Sequence, residues 1–166
     1  MTPFVAVLAA AALAAAACDI KSRRIPNVLT GALAVAGVVT AGMSRGLPGA
    51  GVALATLAVM LLIGTYAFAR GWFGGGDVKL LAACCGLAGL PGSIALVLYV
   101  LVAGALLALV TAAARGRLVS LVRSTTLVAA RGTPSQTTLL PYGVAIAGGS
   151  FAYAASTVVP ALRLPL

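Results

Sequence analysis

The chain has 166 residues, of which 62% are hydrophobic and only 8% are charged. A soluble domain carries about a quarter charged residues, so this composition excludes an ordinary water-soluble fold and predicts a protein solvated mainly by lipid. The formal net charge is +9, and the chain has no histidine, which excludes HExxH zinc sites and Ser-His or Cys-His nucleophile systems.

Six apolar segments follow one another along the chain, and each predicts a membrane helix. In chain order they cover about 3–18, 27–43, 50–69, 77–90, 93–114 and 142–160. The sequence therefore predicts an all-α, polytopic membrane protein with about six transmembrane helices, folded as one domain over 1–166. Since a spanning helix needs about 20 residues, the first and fourth segments are short unless their helices extend past the apolar part.

Basic residues lie mainly in alternate connections between these segments. Nine of the eleven follow the first, third and fifth segments, and only Arg45 and Arg163 lie on the opposite side. By the positive-inside rule the side with nine is cytoplasmic, which predicts that both chain termini face the outer side of the membrane. The same distribution favours topology, and not a nucleic-acid partner, as the reason for the net charge.

The connection at 115–141 is long and polar. Arg117, Ser120 and Ser124 would fall on one face of a helix here, with Leu118 on another. This pattern predicts a helix lying on the cytoplasmic leaflet, and a solvated loop is the alternative.

The chain has only two carboxylate side chains, Asp19 in ACDIKSRRIPN and Asp77 in GWFGGGDVKLL. Each lies at the predicted cytoplasmic end of an apolar segment, where an ionisable group is costly and therefore indicates function. Asp77 follows glycines and could also cap a helix. Asp19 ends a helix, where the dipole disfavours an anion, so a purely structural role explains it less well.

Two carboxylates brought together can share one proton, because like charges at close range do not both ionise easily. The protonated member polarises a carbonyl, and the ionised member takes a proton from the attacking water. This aspartic-protease chemistry requires no metal, no cofactor and no histidine. A proton relay in a small transporter is the alternative, although a relay favours positions near the middle of the membrane.

Flexible and rigid residues surround the two carboxylates. Three glycines precede Asp77: Gly74, Gly75 and Gly76. Without side chains they let the backbone approach a substrate strand or a neighbouring helix. After Asp19, Pro26 restrains Ile25 to an extended shape, and Asn27 can cap the second segment. These residues would hold Asp19 at a defined place beside the next helix.

Lys21 and Lys79 each follow an aspartate by two places. Residues at that spacing do not face each other on a helix, so direct pairing is not assured. We expect these lysines to anchor to lipid phosphate or to set topology, with an effect on the carboxylate pKa as the alternative.

At these residues the chain resembles the type IV prepilin peptidases, a GxGD family of membrane aspartic proteases. The first family motif is an aspartate followed six places later by Ile-Pro-Asn, and it matches Asp19 with Ile25, Pro26 and Asn27. The second motif is G-x-G-D-x-K-L, and it matches GGGDVKL at 74–80.

A third feature of the family is a Pro-aromatic-Gly sequence that opens the last helix. It matches Pro141, Tyr142 and Gly143, although Val144 stands where the family often has a further proline. The resemblance extends in order over nearly the whole chain. A non-catalytic assembly subunit would explain the helices but not these matched motifs.

The resemblance implies a multi-pass protein of the bacterial inner membrane whose partners are lipid and a prepilin substrate. It implies cleavage of the short basic prepilin leader at the cytoplasmic face, typically after glycine, with Asp19 and Asp77 as the catalytic pair. Gly74 and Gly76 would shape the active-site loop. The chain has no CxxC pairs, so it is similar to the short form associated with tad/Flp pili, and we expect peptidase activity without methyl transfer.

Overall fold

The computed structural model of the chain describes residues 3–22, 26–114, 116 and 142–159. Within these ranges the chain folds into helices and contains no strand, which confirms the prediction of an all-α protein. The four helices are α1 (Pro3–Ser22), α2 (Asn27–Ala69), α3 (Gly75–Ala114) and α4 (Tyr142–Val158).

Two of the described stretches are long and apolar enough to cross a membrane: Asn27–Ala69 and Gly92–Ala114. Many large apolar side chains on these helices are more than half exposed, among them Leu47, Leu62, Ile63, Val102 and Leu106. Exposed apolar faces of this extent are typical of helices that contact lipid, so the fold suits a membrane protein. The number of six spanning helices stays a prediction.

The two longest helices each break once, at the first glycine of a Gly-Leu-Pro-Gly sequence. In α2 the break is at Gly46, with φ 68° and ψ −165°, and in α3 it is at Gly89, with φ 74° and ψ 171°. Positive φ favours glycine, which has no Cβ to clash with the backbone. The second and third predicted segments therefore lie on the two sides of one break, and the fourth and fifth segments lie on the two sides of the other.

The break in α2 reverses the direction of the chain. A Cβ placed on Gly42 would lie 3.5 Å from the Cβ of Ala50. In a straight helix eight residues span about 12 Å, so the two sides of the break fold back on each other. The turn is tight, because a Cβ on Gly49 would lie 2.5 Å from the Ala41 carbonyl oxygen and 2.6 Å from the Cβ of Arg45.

The first half of α3 forms the centre of the bundle. Residues 82–89 are all buried, including Cys84 and Cys85, which behave here as small apolar residues. A helix that is buried on every side lies inside a bundle and not at its edge. Helix α3 packs mainly against α2 and α4, whereas α1 packs chiefly against α4. The beginning of α3 therefore lies among the other helices at one end of the bundle.

The tight turn in α2 predicts a difference between two neighbouring glycines. We expect Gly49→Ala to lower stability by about 1–3 kcal/mol, because its Cβ meets backbone that must move. Gly51→Ala is the matched control, since a Cβ there meets no atom within 4 Å and alanine favours a helix. Thermal unfolding of both variants in detergent measures the effect. Equal midpoints for the two variants would contradict the described turn.

Candidate active site

Asp77 lies in the first turn of α3, three residues inside the cap. The helix begins at Gly75, and the Val78 N–H donates a hydrogen bond of 3.1 Å to the Gly74 carbonyl, so Gly74 is the cap residue. The Asp77 carboxylate accepts a hydrogen bond from the Gly74 backbone N–H. It thus satisfies the cap from inside the helix, as the acid of a capping box does. Asp77 thus takes part in capping, as the sequence suggested, but from the third position of a helix that begins at Gly75.

Gly74 leaves the space that this carboxylate occupies. A Cβ on Gly74 would lie 2.8 Å from Asp77 Oδ2, which is closer than real contacts of a Cβ allow. By contrast, a Cβ on Gly75 would meet only the Phe68 ring, at an ordinary 3.6 Å. A side chain at Gly74 would therefore displace the Asp77 carboxylate, whereas a side chain at Gly75 would not.

Asp19 lies near the end of α1 and is buried, with 7% of its surface exposed. Its Oδ2 atom is buried and has no hydrogen-bond partner. Such an atom is rare, because leaving a buried acceptor unsatisfied costs about 1–3 kcal/mol, and more if it is charged. An oxygen in this state can accept a proton or a hydrogen bond from a molecule that enters the site.

Gly143 of α4 lies directly against Asp19. A Cβ on Gly143 would lie 2.8 Å from both the Cβ and the Oδ2 of Asp19. Each aspartate thus has one glycine that makes room for it, Gly74 for Asp77 and Gly143 for Asp19. The close contact with Asp19 therefore explains why the third motif has a glycine at position 143, which the sequence alone did not reveal.

The two carboxylates act on each other electrostatically. Asp77 lies outside the two candidate spans, at the beginning of α3. The pKa of Asp77 is raised from 3.8 to about 6: burial is the largest cause, the negative charge of Asp19 adds to the rise, and the hydrogen bond from the Gly74 N–H opposes it. Both carboxylates are also related to the beginning of α4, because Gly143 lies against Asp19 and the Asp77 charge acts on Tyr142.

Tyr142, at the beginning of α4, lies beside Asp77. Burial raises the pKa of the Tyr142 phenol, and the Asp77 charge raises it further. Its ring packs edge-on against Phe73, with ring centroids 5.0 Å apart. Phe73 is a site residue that the sequence reasoning missed, although an aromatic residue directly before the three glycines was the available signal. This ring contact thus joins the residue before Gly74 to the beginning of α4.

Lys79 contacts Asn27 and joins the first two motifs. Lys79 Nζ donates a hydrogen bond of 3.0 Å to Asn27 Oδ1. The cap of α2 is Pro26, whose extended backbone (φ −61°, ψ 134°) makes no side-chain cap bond. The prediction that Asn27 caps this helix is therefore wrong, because its side chain turns toward α3. For Lys79 the structure provides a protein partner, where the sequence predicted lipid or topology.

Some predicted features lie outside the described residues. These are Ile25, Pro141, the side chain of Lys21, and the proposed surface helix of 115–141 apart from Gly116. Within the described part of the chain, no group of three or more His, Cys, Asp or Glu side chains could hold a metal ion.

Comparison with known proteins identifies a family. The sequence model of the type IV leader peptidase family matches residues 6–109, which is more than half of the chain. The matched range contains both aspartates and Lys79, and it ends before α4. No curated protein and no solved structure matches the chain.

The raised pKa of Asp77 predicts how stability depends on pH. Between about 3.8 and about 6, the folded protein holds this proton while the unfolded chain releases it. The folded state then binds more protons, so its free energy of unfolding should fall as pH rises through this window. Thermal unfolding in detergent across the window should show this fall for the unaltered chain and a shallower one for Asp77→Asn.

Asp19→Asn is the control for this measurement. It removes the contribution of the Asp19 charge to the raised Asp77 pKa but leaves the contribution of burial. The free energy of unfolding should therefore still fall with rising pH, but less steeply than in the unaltered chain. An Asp77→Asn variant with the same pH dependence as the unaltered chain would contradict the raised pKa.

Proposed function

Because the chain belongs to the type IV leader peptidase family, we propose that it is an aspartic endopeptidase that cleaves the short basic leader of type IV prepilins. The substrate class is of the Flp/tad type, and cleavage typically follows a glycine. The site faces the cytoplasm at the bacterial inner membrane. The residues 1–166 act as one peptidase domain without methyl transfer.

The observation that supports this proposal is that both carboxylates of the chain lie by the beginning of α4, where Gly143 contacts Asp19 and the Asp77 charge acts on Tyr142. Asp19 has an unsatisfied oxygen, and Asp77 has a pKa raised by burial and by Asp19. The raised pKa lets Asp77 hold a proton at a pH where an ordinary carboxyl is ionised, so one member of the pair is protonated there. This is the protonation state that peptide hydrolysis by two carboxylates requires.

The proposed reaction uses the pair in two steps. The protonated carboxyl donates a hydrogen bond to the scissile carbonyl oxygen while the ionised carboxylate takes a proton from water. The water oxygen bonds to the carbonyl carbon and forms a tetrahedral intermediate. A proton then passes to the amide nitrogen, the C–N bond breaks, and the pair is left with its single proton. Both carboxylates act by general acid–base catalysis.

The elements around the pair suit an extended peptide. Gly74 is exposed, so a substrate strand can approach the backbone directly before Asp77. The packed rings of Phe73 and Tyr142 would bound the space for the peptide on one side. A basic leader followed by an apolar helix would place its junction at this end of the bundle, where the aqueous and apolar surroundings meet.

We propose that the four helical segments on either side of the two breaks, together with α1 and α4, make six crossings of the membrane. Both ends of α2 lie near the beginning of α3: Asn27 contacts Lys79, and a Cβ on Gly64 would touch the Val78 side chain. The break at Gly89 lies at the opposite end, since a Cβ there would lie 3.5 Å from Arg45 Nη1. Each half of α2 and the first half of α3 therefore extend from one end of the bundle to the other.

The second half of α3 returns toward the site. A Cβ on Gly104 would lie 3.7 Å from the Tyr142 hydroxyl. Arg70 lies over the rings of Tyr66 and Trp72, at 5.6 and 5.7 Å from their centroids. Aromatic and basic residues at the end of an apolar helix are typical of a membrane surface. With the excess of basic residues on this side, they support a cytoplasmic site and outward-facing termini.

Cleavage of a synthetic prepilin tests the proposal. The purified protein in lipid nanodiscs is mixed with a peptide that has a basic leader, a glycine at the cut and an apolar helix. Asp19→Asn and Asp77→Asn should each lower the rate by roughly 100- to 10,000-fold, because each removes an acid–base group. Cleavage that survives either substitution would refute the pair. Proton flux without cleavage would favour the transporter.

The close fit of Gly143 to Asp19 predicts a second effect on activity. We expect Gly143→Ala to lower kcat about 100-fold, because the new Cβ displaces the Asp19 carboxylate by a distance of the order that disrupts catalysis. Gly148→Ala is the matched control on the same helix, where a Cβ would meet Ala103 at an ordinary 3.8 Å. The same peptide assay measures both variants, and equal rates would contradict the fit.

A further inference from the structure

A side-chain hydrogen bond joins the beginning of α2 to the first turns of α3, the helix that carries Asp77. Lys79 follows Asp77 by two residues on α3, and Asn27 follows Asp19 by eight residues at the beginning of α2. Their side chains meet at 3.0 Å, with Lys79 Nζ as donor and Asn27 Oδ1 as acceptor. Since an ammonium group can only donate, the amide oxygen is the atom that faces it.

The direction of Lys79 excludes a simple ion pair with its neighbour. Successive residues on a helix are about 100° apart, so Lys79 and Asp77 point about 200° apart around α3. The residues on either side of Lys79, Val78 and Leu80, are buried, whereas Lys79 is exposed. Its ammonium therefore extends along the surface to α2 and does not return to the carboxylates.

Asn27 is held firmly enough to serve as a fixed point. The Pro26 carbonyl accepts the Leu29 N–H at 3.1 Å, which begins the helix directly after the extended proline. The Asn27 carbonyl accepts the hydroxyl of Thr30, a buried residue, at 3.0 Å. The carbonyls of Pro26 and Asn27 thus both accept hydrogen bonds, and the helix has no side-chain cap bond.

This contact matters because α1 and α3 barely pack against each other. Helix α1 carries Asp19 and packs chiefly against α4, while Asp77 belongs to α3. Direct packing of the two helices therefore does little to set the distance between the carboxylates. That distance depends on α4, whose Gly143 contacts Asp19, and on the short chain connection that leads from α1 to Asn27 at the beginning of α2.

We propose that Lys79 and Asn27 are positioning residues whose hydrogen bond fixes the start of α2 against the start of α3 and so sets the separation of the two carboxylates. The proposal rests on the peptidase function in one respect, that the separation matters for cleavage. It assigns Lys79 a role through Asn27 and not through lipid or substrate charge.

A double-mutant cycle tests this pairing. Asn27→Ala and Lys79→Met should each lower kcat by roughly 3- to 10-fold, the equivalent of a net hydrogen bond, with KM for the prepilin peptide nearly unchanged. The double variant should be no slower than the slower single variant, because both substitutions break the same bond. Asn27→Asp keeps an acceptor for the ammonium group and should retain most of the activity.

Arg70→Met is the charge control. It removes a cation from the same end of the bundle, and the guanidinium of Arg70 stacks on Tyr66 and Trp72 and not on Asn27. If Lys79 acts by charge alone, Arg70→Met and Lys79→Met should have similar effects, and Asn27→Ala should have none. Effects that multiply in the double variant would likewise overturn the proposal.

A second measurement does not depend on cleavage. In a full-length chain with Cys18, Cys84 and Cys85 changed to alanine, Asp19→Cys and Asp77→Cys allow cross-linking by bis-methanethiosulfonate reagents of increasing length. Asn27→Ala or Lys79→Met should slow cross-linking by the shortest effective reagent several-fold. An unchanged rate would overturn the positioning role. A chain that cleaves no leader peptide would refute the peptidase function, and the cross-linking result would still decide the role of the contact.

Discussion

The placement of two carboxylates at one end of an apolar bundle is the constraint on which the rest of this structure depends. Each carboxylate alone is costly there, and the charge of Asp19 makes the ionised state of Asp77 less favourable. The fold offsets part of that cost at Asp77 through the helix dipole and the Gly74 N–H. At Asp19 it leaves one oxygen unsatisfied. A buried oxygen without a partner is rare in folded proteins, and a catalytic role is one recognised reason for it.

Small residues make this arrangement possible in a chain with little polar surface. Several glycines lie where a Cβ would be in close contact with a neighbouring helix: Gly37 with Leu87, Gly86 with Leu57, and Gly149 with Val100. In lipid, helices gain little from burying apolar surface, so close backbone approach becomes the main source of attraction. The same residue type thus serves two purposes here. It brings helices together throughout the bundle, and at Gly74 and Gly143 it leaves volume for a carboxylate.

The sequence was enough to predict the helical class, the apolar segments and the two aspartates, because these depend on composition and local pattern. It predicted connections between the second and third segments and between the fourth and fifth, where the structure has single-residue breaks at Gly46 and Gly89. The repeated Gly-Leu-Pro-Gly was visible, but its positive φ was not. Asn27 was assigned to a cap because caps are local, whereas its partner Lys79 lies 52 residues away. The fit of Gly143 to Asp19 likewise depends on the packing of distant helices, which one sequence does not encode in any local pattern.

The break at Gly89 lies far from Asp77 along α3, so a small rotation of the helix at the break would displace this carboxylate strongly. Asp77 lies twelve residues from that glycine, about 18 Å along the helix. A rotation of about 5° at the break therefore moves the carboxylate by about 1.5 Å, a displacement large enough to change a catalytic rate. Arg45 and the break of α2 lie beside Gly89. The breaks of both long helices are therefore at the same end of the bundle, away from the carboxylates. Fine adjustment of the position of Asp77 can thus originate at the end of the bundle opposite to the carboxylates.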